Sequence, residues 1–151
     1  MIDVLSSAEG ANPITIEATF PASPVRVFEA WTDPVKFRKW FGIDPTFTQD
    51  VHIDLQVGGL WQVDFKNGSD RLEGKYLEIS PHDRLRFTWA HVETKEDQEI
   101  RTSPSEVTLD FASVGAATRL KLTHRAISTE GGRIGVRKGW INSFNALGKK
   151  L

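Results

Sequence analysis

With 151 residues, no cysteine, and 19 lysines and arginines against 20 acidic residues, the chain is sized for one domain and excludes disulfides, thiolate metal sites and cysteine nucleophiles. Its net charge of −1 leaves no basic excess to neutralise phosphates, which argues against nucleic acid as a partner and against a polybasic membrane patch. No stretch approaches the roughly 18 apolar residues of a membrane span, and residues 1–13 lack the basic start and apolar run of a secretory signal, so a cytoplasmic location is expected.

Residues 1–13 are expected to form a flexible tail, and 14–151 a single domain. The first periodic segment, Ile14–Phe20, alternates apolar and polar residues as a half-buried strand requires. Ser23-Pro24 then supplies an N-cap hydroxyl and a proline at the first helical position. Val27, Phe28 and Trp31 give that helix its apolar face. Asp33-Pro34 opens a second short helix carrying Val35, Phe37, Trp40 and Phe41, which Gly42 can end by adopting a left-handed conformation.

From Thr46 to His124 the period becomes two. Strands are predicted near 48–55, 60–66, 71–80, 84–92, 105–112 and 118–125, with turn signals at Gly58-Gly59, Asn67-Gly68, Pro81-His82-Asp83 and Gly115. Such short connections imply antiparallel neighbours. The charged segment 93–102 reads as a long exposed hairpin loop. A final helix from about Arg133 to Leu151 places Trp140, Phe144, Leu147 and Leu151 on one face, with Lys149 and Lys150 where cations complement the helix dipole. The order predicts an α+β fold, a curved antiparallel sheet of about seven strands around one long C-terminal helix, with two short helices after the first strand. Curving the sheet around the helix leaves space between them, especially beneath the short helices.

Five tryptophans and nine phenylalanines stand against one tyrosine. Aromatics without polar handles fill a core or line an apolar cavity, and composition alone does not choose between these. Strand parity supplies the inward set. Trp61, Val63 and Phe65 share one face, as do Phe87, Trp89 and His91. Ser105, Val107, Leu109 and Phe111 form a third group, and Thr118, Leu120, Leu122 and His124 a fourth. The ligand-binding residues expected from this are Phe37, Trp40 and Phe41 of the short helices, Trp140 and Phe144 of the long one, and Trp61, Val63, Phe65, Phe87, Trp89, His91, Ser105, Leu109, Leu122 and His124 of the sheet.

His91, Ser105 and His124 are the inward polar residues gathered at one end of the sheet, with the histidines two strand spacings apart, about 9.6 Å. They are the candidates for orienting a ligand or for acid–base chemistry, since imidazole titrates near neutrality. The plainer alternative is that they bond to water or loop backbone at the rim. No metal site is expected: there is no HExxH motif, and the strand separation is wide for two direct ligands. Nor is there a GxSxG elbow for a serine nucleophile, or a glycine loop of the kind that cradles a phosphate cofactor; no cofactor is expected.

The helix at Pro24–Trp31, Asp33-Pro34 leading to Trp40-Phe41, Asp54-Leu-Gln-Val-Gly58-Gly59 before Trp61, Gly74-Lys-Tyr76-Leu-Glu78-Ile79, Arg84-Leu-Arg-Phe87-Thr-Trp89, Thr118–His124 and Gly139-Trp140 follow in an order that resembles the family named after the C-terminal domain of the activator of heat-shock protein 90 ATPase. That family belongs to the START-like, SRPBCC superfamily of helix-grip folds, and the resemblance covers roughly residues 14–151. Gln56 departs from it, standing where the family often has arginine. The resemblance implies the fold far more specifically than the activity, because fold does not fix function. The leading expectation is therefore a binding protein for a small hydrophobic or aromatic molecule. The alternatives are a co-chaperone of the stress response whose partner is a chaperone, and a cyclase- or hydrolase-like enzyme using His91 or His124 as acid or base.

Overall fold

The computed structural model describes residues 2–42 and 44–151. The strands are β1 (Leu5–Ser6), β2 (Ile14–Phe20), β3 (Thr48–Ile53), β4 (Leu60–Phe65), β5 (Asp70–Ser80), β6 (Arg84–Lys95), β7 (Gln98–Arg101), β8 (Ser105–Val114) and β9 (Ala117–Arg125), and the helices α1 (Pro24–Thr32), α2 (Pro34–Arg38) and α3 (Glu130–Lys150). They form one antiparallel sheet in the order β1-β2-β9-β8-β6-β5-β4-β3, with β7 paired to β6 alone. Two strands beyond the expected seven account for the difference. Both lie in segments read from the sequence as irregular.

The first is β1. It pairs with β2 through Leu5 opposite Glu17 and Ser6 opposite Ile16. Arg137 donates to the Ser7 carbonyl (2.8 Å) and to Ser6 Oγ (2.9 Å), and Arg133 donates to the Gly10 carbonyl (2.9 Å). The segment expected as a flexible tail is thus laid against the sheet edge and α3. Two guanidinium groups, which composition counts only as charge, satisfy its backbone carbonyls. The second is β7. Glu96 and Asp97 both take positive φ, 53° and 63°, the two-residue geometry that suits a tight hairpin. Polar composition made 93–102 look like a loop, whereas β6 runs on to Lys95 and folds back on itself.

β6 pairs with β8 only over Arg84–Trp89 and with β7 over Val92–Lys95. The sheet therefore divides near His91, and one side of it curls away from β8. A register irregularity between Tyr76 and Glu78 in β5 adds to this bend. Gly74 allows β5 to lie close to β6: a Cβ there would overlap the Thr88 carbonyl oxygen, the same oxygen that accepts Trp61 Nε1–H at 3.0 Å.

Inward alternation is strict where the core is thickest. Ile14, Ile16, Ala18 and Phe20 of β2, Leu120 and Leu122 of β9, and Val107 and Leu109 of β8 are buried. Trp140, Phe144 and Leu147 of α3 close over them. Outward residues carry the charges, in pairs such as Arg86 with Glu106 (2.7 Å) and Arg71 with Glu99 (2.6 Å). Half-exposed pairs of this kind contribute little to stability. Among the described residues no helix is long and apolar enough to cross a membrane.

Candidate functional site

The short helices are set by their caps: Ser23 Oγ accepts from Arg26 N (3.3 Å) and Asp33 Oδ1 from Val35 N (2.9 Å). α2 ends at Arg38 with Lys39 as its C-cap, so Trp40 and Phe41 lie in the turn after the helix rather than in it, and Gly42, with φ 95°, follows that turn instead of ending the helix. The aromatics of the short helices, the turn after them, β6 and α3 form a tight stack of rings, one pair face to face and the others tilted or edge to face, rather than a roof over empty space. Phe37 and Phe41 lie with ring centres 4.5 Å apart, Trp31 and Trp40 4.6 Å, and Trp89 and Trp140 5.1 Å. The interior they share with Trp61, Tyr76 and Phe87 leaves about 10 Å³ of free space, barely enough for one water. The space expected beneath α1 and α2 is therefore filled by tryptophan.

A real cavity lies beside this stack, at the end of the sheet where β6 leaves β8. It has a volume of about 460 Å³, opens to solvent, and is lined by Phe41, Gly42, Asp44, Phe47, Phe65, Asp70, Leu72, Trp89, His91, Gly135, Val136, Gly139, Trp140 and Ser143. Its existence depends on α3. Gly135, Gly139 and Ser143 recur every fourth residue, so they share one side of the helix. That side has almost no side chain, and a Cβ at Gly135 would meet nothing within 4 Å.

Of the residues expected to contact ligand, Phe41, Phe65, Trp89, His91 and Trp140 line this cavity. Phe37, Trp61 and Phe87 face the filled interior. Trp40, Val63, Leu109, Leu122 and Phe144 are core. Asp70 and Leu72 were open to the parity argument, because β5 places them on the face of Tyr76 and Gly74. The small-residue side of α3 was equally visible as a four-residue period. Asp44 and Phe47 belong to a single 3₁₀ turn, Pro45–Phe47, which carries no periodic signal.

The three inward polar residues separate. His124 is 1% exposed and sits inside a closed chain of hydrogen bonds. Trp140 Nε1–H donates to His124 Nδ1 at 3.0 Å. Indole nitrogen can only donate, so Nδ1 carries no proton and the neutral ring holds its hydrogen on Nε2. Nε2–H then donates to Ser105 Oγ at 2.7 Å, and the Ser105 hydroxyl donates to the Trp89 carbonyl at 3.1 Å. Burial pushes the His124 pKa down to about 3. The imidazole thus gives a proton to serine's oxygen instead of accepting the serine proton, the reverse of what nucleophile activation needs. The relay positions Trp89 and Trp140, two walls of the cavity.

His91 behaves differently. It lies on the cavity wall with its side chain 39% exposed, and Nε2 is 2.9 Å from Asp70 Oδ1. A carboxylate only accepts, so Nε2 holds the proton and, in the neutral ring, Nδ1 is a bare acceptor. Asp70 is oriented by Asn67, whose Nδ2 donates to Oδ2 at 2.5 Å and whose Oδ1 accepts Asp70 N–H at 3.0 Å. Asp44 accepts from the Thr46 hydroxyl (2.6 Å) and amide (3.0 Å), which hold its carboxyl below the usual carboxylate range. The described residues with ligand atoms clustered closely enough for a metal are Asp50, His52 and Asp64, within 4.8 Å of one another on the outer side of β3 and β4. They are remote from the inward-facing cavity, and Asp64 is also engaged by Gln62 (2.8 Å).

A sheet gripping one long C-terminal helix, with two short helices after the first long strand, defines a START-like, helix-grip protein. Residues 21–151 match the model of the family described as Activator of Hsp90 ATPase homolog 1-like protein, and the chain belongs to that family. Its fold is similar to those of Ms6760 from Mycobacterium smegmatis (TM-score 0.79, 20% identity, 99% of this chain and 97% of that one) and Mll3558 from Rhizobium loti (0.71, 28%, 99% and 99%). DynU16, a protein of the dynemicin biosynthetic locus, matches at TM-score 0.71 and 21% identity over 92% of this chain, which spans 46% of DynU16. No curated protein matches by sequence.

Proposed function

We propose that the protein binds a small hydrophobic or aromatic molecule in the cavity between α3 and the end of the sheet. One observation carries this reading: an open cavity of about 460 Å³ walled by Phe41, Phe65, Trp89 and Trp140, within the size range of small-molecule sites and with their usual pattern of apolar walls and few polar groups. Two tryptophans in the wall make binding directly visible. A fluorescence and thermal-shift screen against lipids, flavonoids, polyketides and aromatic acids should return a saturable hit. At a hundred times its dissociation constant such a ligand stabilises the fold by about 2.7 kcal/mol. A well-folded protein that responds to nothing in such a library contradicts the proposal.

A protein-partner reading also has an observation behind it. Leu55, Val57, Leu60 and Leu77 are exposed and gathered around the β3–β4 turn, where Gly58 and Gly59 bond to Tyr76. Exposed apolar clusters mark interaction surfaces. A co-chaperone role predicts a change in heat-shock protein 90 ATPase rate that Leu60→Asp abolishes; an unaltered rate with the wild-type protein removes it.

A further inference from the structure

The charge of the cavity says what kind of molecule it accepts. Among the described residues no lysine or arginine lines it, while two carboxylates do, Asp44 and Asp70. Neither carboxylate is cancelled within the wall. Asp70 bonds to the imidazole of His91 and to an amide, Asn67, and Asp44 bonds to a hydroxyl and a backbone amide. Lys66 lies near Asp44 and draws its pKa down slightly, but it is not part of the lining. Of the other polar groups in the wall, His91 Nδ1 is an acceptor in the neutral ring, Ser143 Oγ is engaged with Gly42, and the Trp89 indole N–H is a donor. The rest of the wall includes Trp89, Trp140, Phe41, Phe47 and Phe65, aromatic rings of the kind that attract a cation over their faces as well as apolar carbon.

We infer that the cavity selects lipophilic amines, held as ammonium ions by its wall carboxylates, Asp44 and the His91-bonded Asp70, with their hydrocarbon among the aromatic walls, and rejects carboxylates of the same shape. This rests on the cavity being a ligand site at all. An ammonium group donates to every acceptor present there and is attracted by both carboxylates. Among the described residues a carboxylate finds two donor side chains in that wall besides the His91 ring, the Trp89 indole N–H and the Ser143 hydroxyl, which already donates to the Gly42 carbonyl (3.3 Å). It finds no cation, and it is repelled by both carboxylates.

Three ligands of similar shape test this: naphthylmethylamine, naphthylmethanol and naphthoic acid, titrated by tryptophan fluorescence at about pH 7.5, where the amine is an ammonium ion and the acid a carboxylate. The expected order is amine, alcohol, acid, with the amine about tenfold or more tighter than the acid, the scale of attraction against repulsion by part-exposed, screened carboxylates. Asp44→Asn and the double variant with Asp70→Asn should shrink that ratio, the exposed Asp44 change doing so without disturbing the His91 pair. Equal affinities, a preference for the acid, or a ratio unmoved in both variants overturns the amine assignment while leaving the site intact. Binding by none of the three, the alcohol included, overturns the ligand site and the assignment together.

Discussion

Acid should destabilise this protein through one buried histidine. His124 is neutral and buried, with a pKa of about 3 in the folded chain against about 6.5 when unfolded. Between those values the unfolded chain binds the extra proton, so stability rises with pH. The contribution is complete above about pH 6.5 and is lost progressively as pH falls toward 3. Linkage between these two pKa values gives a loss of about 2 kcal/mol on going from about pH 8 to about pH 5. That figure changes little if the folded value is one unit higher, because the ring would still be almost wholly neutral at pH 5. Urea denaturation followed by tryptophan fluorescence measures it, and the decisive comparison is with His124→Gln. That variant starts less stable, having lost part of the Trp140–His124–Ser105 chain, but its stability should lack this component of the pH dependence. A wild type equally stable at both pH values, or a variant losing as much as the wild type, would refute the buried neutral imidazole.

The tryptophans separate by their N–H groups. Trp140→Phe strands His124 Nδ1 without its donor and should cost about 1–3 kcal/mol beyond the change in packing, whereas Trp31 Nε1 has no partner among the described residues and Trp31→Phe should show packing loss alone; chemical denaturation of both variants compares them. Gly74→Ala pushes a methyl group into the Thr88 carbonyl and should lower the melting temperature severely or prevent folding, while Gly68→Ala, with open space around it but φ 74°, should cost only about 1 kcal/mol. Phe144→Ala, in the fully buried contact between α3 and the sheet, should destabilise by about 3–5 kcal/mol in the same assay.

Period-two and period-four spacing made the long strands, the inward aromatic set and the terminal helix legible, because burial against α3 imposes those periods directly. What the spacing could not convey was occupancy. Trp31, Trp40 and Trp61 read equally well as cavity walls or as filling, and only the ring distances show that they fill. β1 was hidden because two residues carry no period and its fixing groups, Arg133 and Arg137, lie more than 120 residues away. β7 was hidden by its polar composition, since a hairpin beyond the core needs no apolar face. Ser105 and His124 were correctly gathered by parity, yet their chemistry depends on Trp140 Nε1–H, a donor whose direction no strand pattern specifies. His91 was found, but its partner Asp70 sits one strand away as the first residue of β5, one position before the strand expected from 71.

The most direct test of the ligand site is Gly135→Leu. A side chain there enters the open space of the cavity, and replacing a helical glycine by leucine should hold or raise stability, by up to about 1 kcal/mol. Titrating a ligand found with the wild type should then show affinity lost by tenfold or more at an unchanged or higher melting temperature. Undiminished affinity in a folded Gly135→Leu protein would place the ligand elsewhere and contradict the account.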